Sequence, residues 1–307
     1  MRTEKRKKIL LIILTTIVIL LLGTGSFAYY IWSMVTSTVA SIQVKYESKE
    51  RLEKINLKEG DPISVLLMGI DKPAGRELHG RSDALILLTI NPHSQSMHVV
   101  SIPRDTYTKI IGKGTKDKIN HSHALGGHGM AIRTVEKFLD IPVDYFIKGD
   151  MKSFVDIVDA VGGVKVDNDI DFTIYGVHYP IGTINLNGKE ALGYSRMRMD
   201  DPRGDFGRQL RQRQVIEAVI NKGSHISSIT KFDDIFKVVE NNVKTNLTFN
   251  DMWDIQSNYK ESLQNIVQHQ IDGKDSKINK TYYFIPDEEK LDELSNELKK
   301  HLEIDKQ

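Results

Sequence analysis

Residues 9–31 carry no charged side chain and follow a basic cluster of Arg2, Lys5, Arg6, Lys7 and Lys8. This run constrains the chain more than any other feature, because roughly 20 consecutive apolar residues cross a bilayer. A cleaved secretory signal is the competing reading, with an apolar region of about 7–15 residues before a small-residue cleavage site. Residues 9–22 come near that length, and Thr24, Gly25 and Ser26 resemble such a site. Phe27, Tyr29, Tyr30, Ile31 and Trp32 nonetheless extend the stretch, as an aromatic belt at a membrane interface does. An uncleaved transmembrane helix over 9–31 is therefore expected. Positive charge stays cytoplasmic, so residues 1–8 form an inner tail and the rest of the chain lies outside the cell membrane.

Residues 32–60 mix both charge signs and read as a stalk, leaving 61–307 as one extracytoplasmic body with a helical C-terminal part. The net charge of +1 argues against nucleic acid, which calls for a strongly basic face. No cysteine is present, which excludes disulfides, thiolate metal sites and cysteine nucleophiles. Continuous apolar runs at 63–70, 84–90 and 97–102 predict buried strands, the last two joined by a turn at Asn91 and Pro92. Helical patterns at 130–139 and 152–161 alternate with strand patterns at 143–147 and 164–166. Residues 175–184 suggest a hairpin, and Asn187 is placed to cap the next helix. Strands interleaved with helices predict an α/β sandwich.

Charged residues gather where these elements end. Asp71 follows the first strand, Arg81 and Asp83 precede the second, and Arg104 and Asp105 follow the third. The segment 194–214 adds six arginines. If it is extended at Arg196 and Arg198, both side chains leave one face. On the helix expected from Gly204 or Asp205 through Val219, Asp205, Arg208 and Gln212 share a face that continues apolar at Val215, Ile216 and Val219. Arg211 and Arg213 point elsewhere. Guanidinium forks beside a helix N-terminus suit phosphate, and two nearby aspartates suit Mg²⁺ that takes its remaining ligands from phosphate oxygens and water. His121, His123 and His128 lack a partner at a recognised metal spacing, so a histidine metal site is not expected there.

The ordered motifs LLMGID (66–71), RSDAL (81–85), NP (91–92), SIPRDT (101–106), DKINH (117–121), GGV (162–164), LNGKEAL (186–192), the Arg196/Arg198 pair and GDFGRQLRQ (204–212) resemble the LytR-CpsA-Psr family of membrane-anchored cell-wall enzymes. The resemblance implies an α/β/α sandwich with a central mixed sheet and a buried channel for a polyprenyl chain. It implies a phosphotransferase that moves an anionic glycopolymer, such as wall teichoic acid, from polyprenyl pyrophosphate to peptidoglycan. The acceptor is usually the 6-hydroxyl of N-acetylmuramic acid. By the same resemblance, Arg104, Arg196, Arg198, Arg208 and Gln212 are pyrophosphate-binding positions, and Asp71 and Asp83 serve magnesium (or manganese) and catalysis. Asp205 supports the arginines, Arg81 is a further candidate at the site, and Lys137 a weaker one. A lipid-pyrophosphate hydrolase and a non-catalytic regulator binding anionic polymer are the alternatives.

Overall fold

The computed structural model describes residues 53–71, 80–224 and 243–304, together with scattered positions between 24 and 51. The expected membrane span falls almost wholly outside these residues. Among the described residues no helix is long and apolar enough to cross a membrane.

In chain order the strands are β1 (Ile63–Asp71), β2 (Arg81–Asn91), β3 (Ser96–Ser101), β4 (Tyr107–Lys109), β5 (Lys116–Lys118), β6 (Tyr145–Asp150), β7 (Val164–Asn168), β8 (Phe172–Ile174), β9 (Val177–Tyr179), β10 (Gly182–Leu186), β11 (Val243–Thr245), β12 (Ile266–Gln270), β13 (Gly273–Ile278) and β14 (Thr281–Pro286). The helices are α1 (His121–Leu139), α2 (Met151–Ala160), α3 (Gly188–Arg196), α4 (Asp205–Ser224), α5 (Phe249–Asn258) and α6 (Glu288–His301). Six strands form a mixed central sheet in the order β11-β6-β1-β2-β3-β12. The apolar runs of β1, β2 and β3 are continuous because both faces of this sheet are covered. One face packs on α1 and α6 through Leu66, Leu85, Leu87, Val135 and Leu298. The other turns Val65, Ile86, Leu88 and Ile90 toward Ile216 and Ile220 of α4.

Local chemistry sets several boundaries. The β2–β3 turn is held by Asn91, whose Oδ1 accepts from the backbone N–H groups of His93 and Ser94 at 2.8 and 3.1 Å. The helix expected from Met130 starts earlier, at His121, and is broken at Gly127, whose φ of 65° suits only glycine at low cost. Asn187 caps α3 as expected, in a box where its side chain accepts from Glu190 N–H and Glu190 accepts from Asn187 N–H. Gly188 lets α3 close on α2, since a Cβ there would lie 2.2 Å from the Val155 carbonyl oxygen. The hairpin expected over 175–184 lies earlier, as β8–β9 with its turn at Tyr175 and Gly176, and β10 pairs with β7 instead.

Part of the segment read as a stalk packs on the body. Gln43 bridges to Thr245, Tyr46 donates to Glu136 at 3.1 Å, Ser48 also donates to Glu136, and Leu57 is buried beside Ile63 and Tyr259. Interleaved charges hid this role, because the anchoring residues are single apolar or hydroxyl side chains between them.

Candidate active site

A cavity of about 640 Å³ lies between the central sheet and α2, α3, α4 and α5. Its sheet wall is Val65, Leu67 and Gly69 of β1 with Ala84, Ile86, Leu88 and Ile90 of β2. These follow the two-residue alternation of strands. Asp83 breaks the alternation and still lines the cavity. The β1–β2 register explains it: Gly69 pairs with Ala84 and Ile70 with Ser82, so Asp83 is the extra residue of a bulge. Bulges re-aim side chains in this way beside functional sites.

Asp71, Asp83, Arg104, Arg196, Arg208 and Gln212 line the cavity and form its polar end. Asp83 accepts from Arg104 Nη1 at 2.8 Å and from Asn120 Nδ2 at 3.2 Å. Among the described residues no hydrogen bond or ion pair engages the Asp71 side chain. Arg104 leans on Asp105 at 3.6 Å, and Asp105 is held by Lys118 at 2.6 Å. Arg208 is 9% exposed and pairs with Asp205 one turn earlier at 2.6 Å, while its Nε is buried with no hydrogen-bond partner. Burial pushes the Arg208 pKa down; Asp205 and Asp83 oppose that, and the positive charges of Arg104 and Arg198 add to it. An anion seated here would relieve this repulsion and fill the vacant donor.

The α4 face runs Arg208, Gln212, Ile216, Val219 and Ile220 into the cavity, a charged head on an apolar tail. Val215 departs from the expected stripe and packs with Val158, Phe172 and Tyr194 in a separate core. Arg196 closes α3, so Arg196 and Arg198 do not share one extended strand face. Arg198 is exposed and acts on Arg208 through its charge, and Asp205 reaches the site through Arg208. Arg81 is exposed opposite Asp71 and is absent from the cavity wall. Lys137 is exposed on α1, whose apolar side packs on the other sheet face, so it cannot serve as the head-group contact expected of it.

Two residues of the site escaped sequence reasoning. Asn120 sits inside the DKINH motif, and its hold on Asp83 needs the fold to be seen. Asp201 is buried beneath the Arg196–Arg198 segment, where Oδ2 accepts from Arg211 Nη1 at 2.7 Å and Oδ1 from Arg203 Nε at 2.9 Å. Arg211 also donates to the Met197 carbonyl at 2.7 Å and stacks over Phe172 at 5.6 Å. It is a fastener for the loop that carries Arg198. Arg213 donates to Ser101 and Gln268, joining α4 to β3 and β12. The three histidines are dispersed: His121 pairs with Asp117, His123 meets the Gly80 carbonyl and His128 stacks on Phe146.

Residues 29–300 match the LytR_cpsA_psr family model, nearly the whole described body. The chain belongs to the LytR_cpsA_psr family. A relative from Bacillus subtilis (strain 168), the polyisoprenyl-teichoic acid–peptidoglycan teichoic acid transferase TagU, is 57% identical over 303 residues, covering 98% of each chain. The crystal structure of B. subtilis TagU superposes with a TM-score of 0.65 over 79% of this chain and 97% of that one. A structure of TagT bound to LIIa-WTA, 36% identical, superposes at 0.73 over 84% of this chain and 97% of that one. The mixed sheet and layered architecture of this LytR_cpsA_psr protein are thus those of its solved relatives.

Proposed function

We propose that this protein is a phosphotransferase that moves a teichoic acid or similar anionic glycopolymer from a polyprenyl-pyrophosphate carrier to peptidoglycan. The observation that carries this reading is one cavity with arginines and aspartates at one end and an apolar wall along the rest. Such a space suits a ligand that is a di-anion at its head and a hydrocarbon at its tail. Arg104, Arg196 and Arg208, with Gln212, bind the pyrophosphate, and Arg198 adds positive potential. The acceptor hydroxyl attacks the sugar-side phosphorus and polyprenyl phosphate leaves, forming a phosphodiester. Charge spreads over the phosphoryl oxygens in such a transfer, so fixed guanidinium donors supply much of the acceleration. Asp83 is already engaged by Arg104 and Asn120. Asp71 is therefore the better placed to accept the hydroxyl proton.

The two carboxylates offer the hard oxygens that magnesium or manganese takes, one or two at a time, when phosphate completes the shell. Asp71 and Asp83 would hold the ion, and bound there it would neutralise charge on the phosphoryl oxygens. An N-terminal span at 9–31 would keep the body outside the cell membrane, within reach of lipid-borne donor.

Full-length protein in detergent, given a lipid-pyrophosphate saccharide, magnesium and a peptidoglycan oligosaccharide, is expected to yield saccharide phosphate joined to the acceptor, read by mass spectrometry. Free saccharide phosphate alone, with acceptor saturating, would instead identify a hydrolase. The apolar wall gives a second test. Ile216→Trp fills the tail region without touching a charged group. It is expected to raise KM for a long-prenyl donor at least about tenfold while sparing a short-prenyl donor, since blocking the channel removes only burial of the hydrocarbon. Equal effects on both donors would refute the tail assignment.

A further inference from the structure

On the sheet face opposite the cavity, three side chains from three elements converge. His98 lies on β3, His269 on β12 and Glu297 on α6. His98 Nδ1 and His269 Nε2 are 2.9 Å apart, and Glu297 Oε1 stands 3.7 Å from each. A simple hydrogen bond between two neutral imidazoles explains the first distance. Glu297 Oε1, at 3.7 Å, is beyond hydrogen-bond reach of either nitrogen, so its approach to both is left without a direct bond to account for it. A cation between them would use all three atoms. Ligands about 2.0–2.1 Å from a tetrahedral zinc ion lie roughly 3.3–3.4 Å from one another, between the separations observed.

The surroundings suit a built site. The His98 ring stacks on His301 at 4.0 Å and 22°. His301 is itself locked, with Thr89 Oγ1 at 2.7 Å from Nδ1 and Ser96 Oγ at 2.9 Å from Nε2, so it serves as a platform and not as a ligand. A separate surface cavity of about 260 Å³, lined by His269, Asp272, Glu293 and Glu297, opens beside the cluster. Among the described residues this is the only group of three or more histidine and carboxylate side chains whose ligand atoms converge this closely.

We propose that His98, His269 and Glu297 bind a transition-metal ion, zinc by ligand type, with water completing a four-coordinate shell. Two imidazoles and one carboxylate favour zinc over magnesium or calcium, which take oxygen ligands. The ion would fasten the edge strand β12 and the C-terminal helix α6 to β3, away from the transfer chemistry.

The test uses the full-length chain in detergent, stripped with a chelator and titrated with zinc against a chromophoric competitor. One equivalent is expected to bind at low micromolar Kd or tighter. Saturating zinc is expected to raise the melting temperature by about 5–10 °C when present at about 100 times Kd. Cobalt in place of zinc is expected to give the intense visible bands of a four-coordinate ion. His269→Gln and Glu297→Gln are each expected to weaken zinc at least tenfold. Glu297 is half-exposed, so its substitution leaves folding intact and keeps the test readable. Zinc binding equal in wild type and in the His269→Gln/Glu297→Gln double variant overturns the proposal, as does a pale six-coordinate cobalt spectrum.

Discussion

Arg208→Ala is expected to lower kcat by about 10²–10³-fold, the loss typical of removing one preorganised donor from a developing oxyanion. The guanidinium is buried, paired on one side with Asp205 and vacant at Nε. Its positive charge is already crowded by Arg104 and Arg198. That crowding is destabilising without ligand and becomes favourable once a pyrophosphate is seated. Deleting the charge removes attraction to the ligand, and the relief of this repulsion offsets part of what Asp205 loses with its partner. Steady-state kinetics with a lipid-linked donor separate the two parameters, and thermal melting should stay within a few degrees of wild type. Arg208→Lys restores the charge without the fork and is expected to recover only part of the rate. Turnover of Arg208→Ala within threefold of wild type would remove this residue from the site.

Asp201→Asn is expected to destabilise the fold by about 3–5 kcal/mol, the usual cost of leaving one member of a buried ion pair alone. Both side chains of the Asp201–Arg211 pair are fully buried. For a body of this size the melting temperature should fall by roughly 10 °C or more. The pH response carries a second signature. Burial pushes the Asp201 carboxyl up, but hydrogen bonds from Arg203 and Arg211 outweigh it and hold the pKa at about 2, below the ordinary 3.8. A depressed carboxylate stabilises the fold above its unfolded pKa, and that stability is lost as pH falls from about 3.8 toward 2. Acid unfolding followed by circular dichroism should show this component in wild type and lack it in Asp201→Asn. A melting temperature within 2 °C of wild type would contradict the fastener role of Arg211.

Strands β1, β2, β3 and β6 of the central sheet and the cap at Asn187 were legible because they rest on local signals, apolar runs and a side chain beside its own helix. The edge strands β11 and β12 were not, since they are short and part-polar and lie in a stretch that reads as helical. The face of α4 was legible for the same reason: Arg208 and Gln212 are four apart. Residues whose role is set by distant partners were not. Asp201 reads as one of two loop aspartates until Arg211, ten residues on, is seen folded back onto it. Arg81 reads as a site residue from its place at a strand end, two residues from Asp83, but the bulge at Asp83 breaks the shared face and leaves Arg81 exposed outside the cavity wall. Asn120 and the convergence of His98, His269 and Glu297 depend on chain separations that no periodicity encodes.

The β1–β2–β3 layer is packed by α1 and α6 on one side, and on the other α4 covers it across a cavity. That hollow is a volume deliberately kept from its own side chains, and it shapes how the molecule responds to compression. Pressure favours states that eliminate internal voids. The space of about 640 Å³ under the sheet, apolar along most of its wall, is volume that compression is expected to act on. A hydrocarbon tail filling it, as the proposed function has it, would stiffen the layer from within and complete the core on that side.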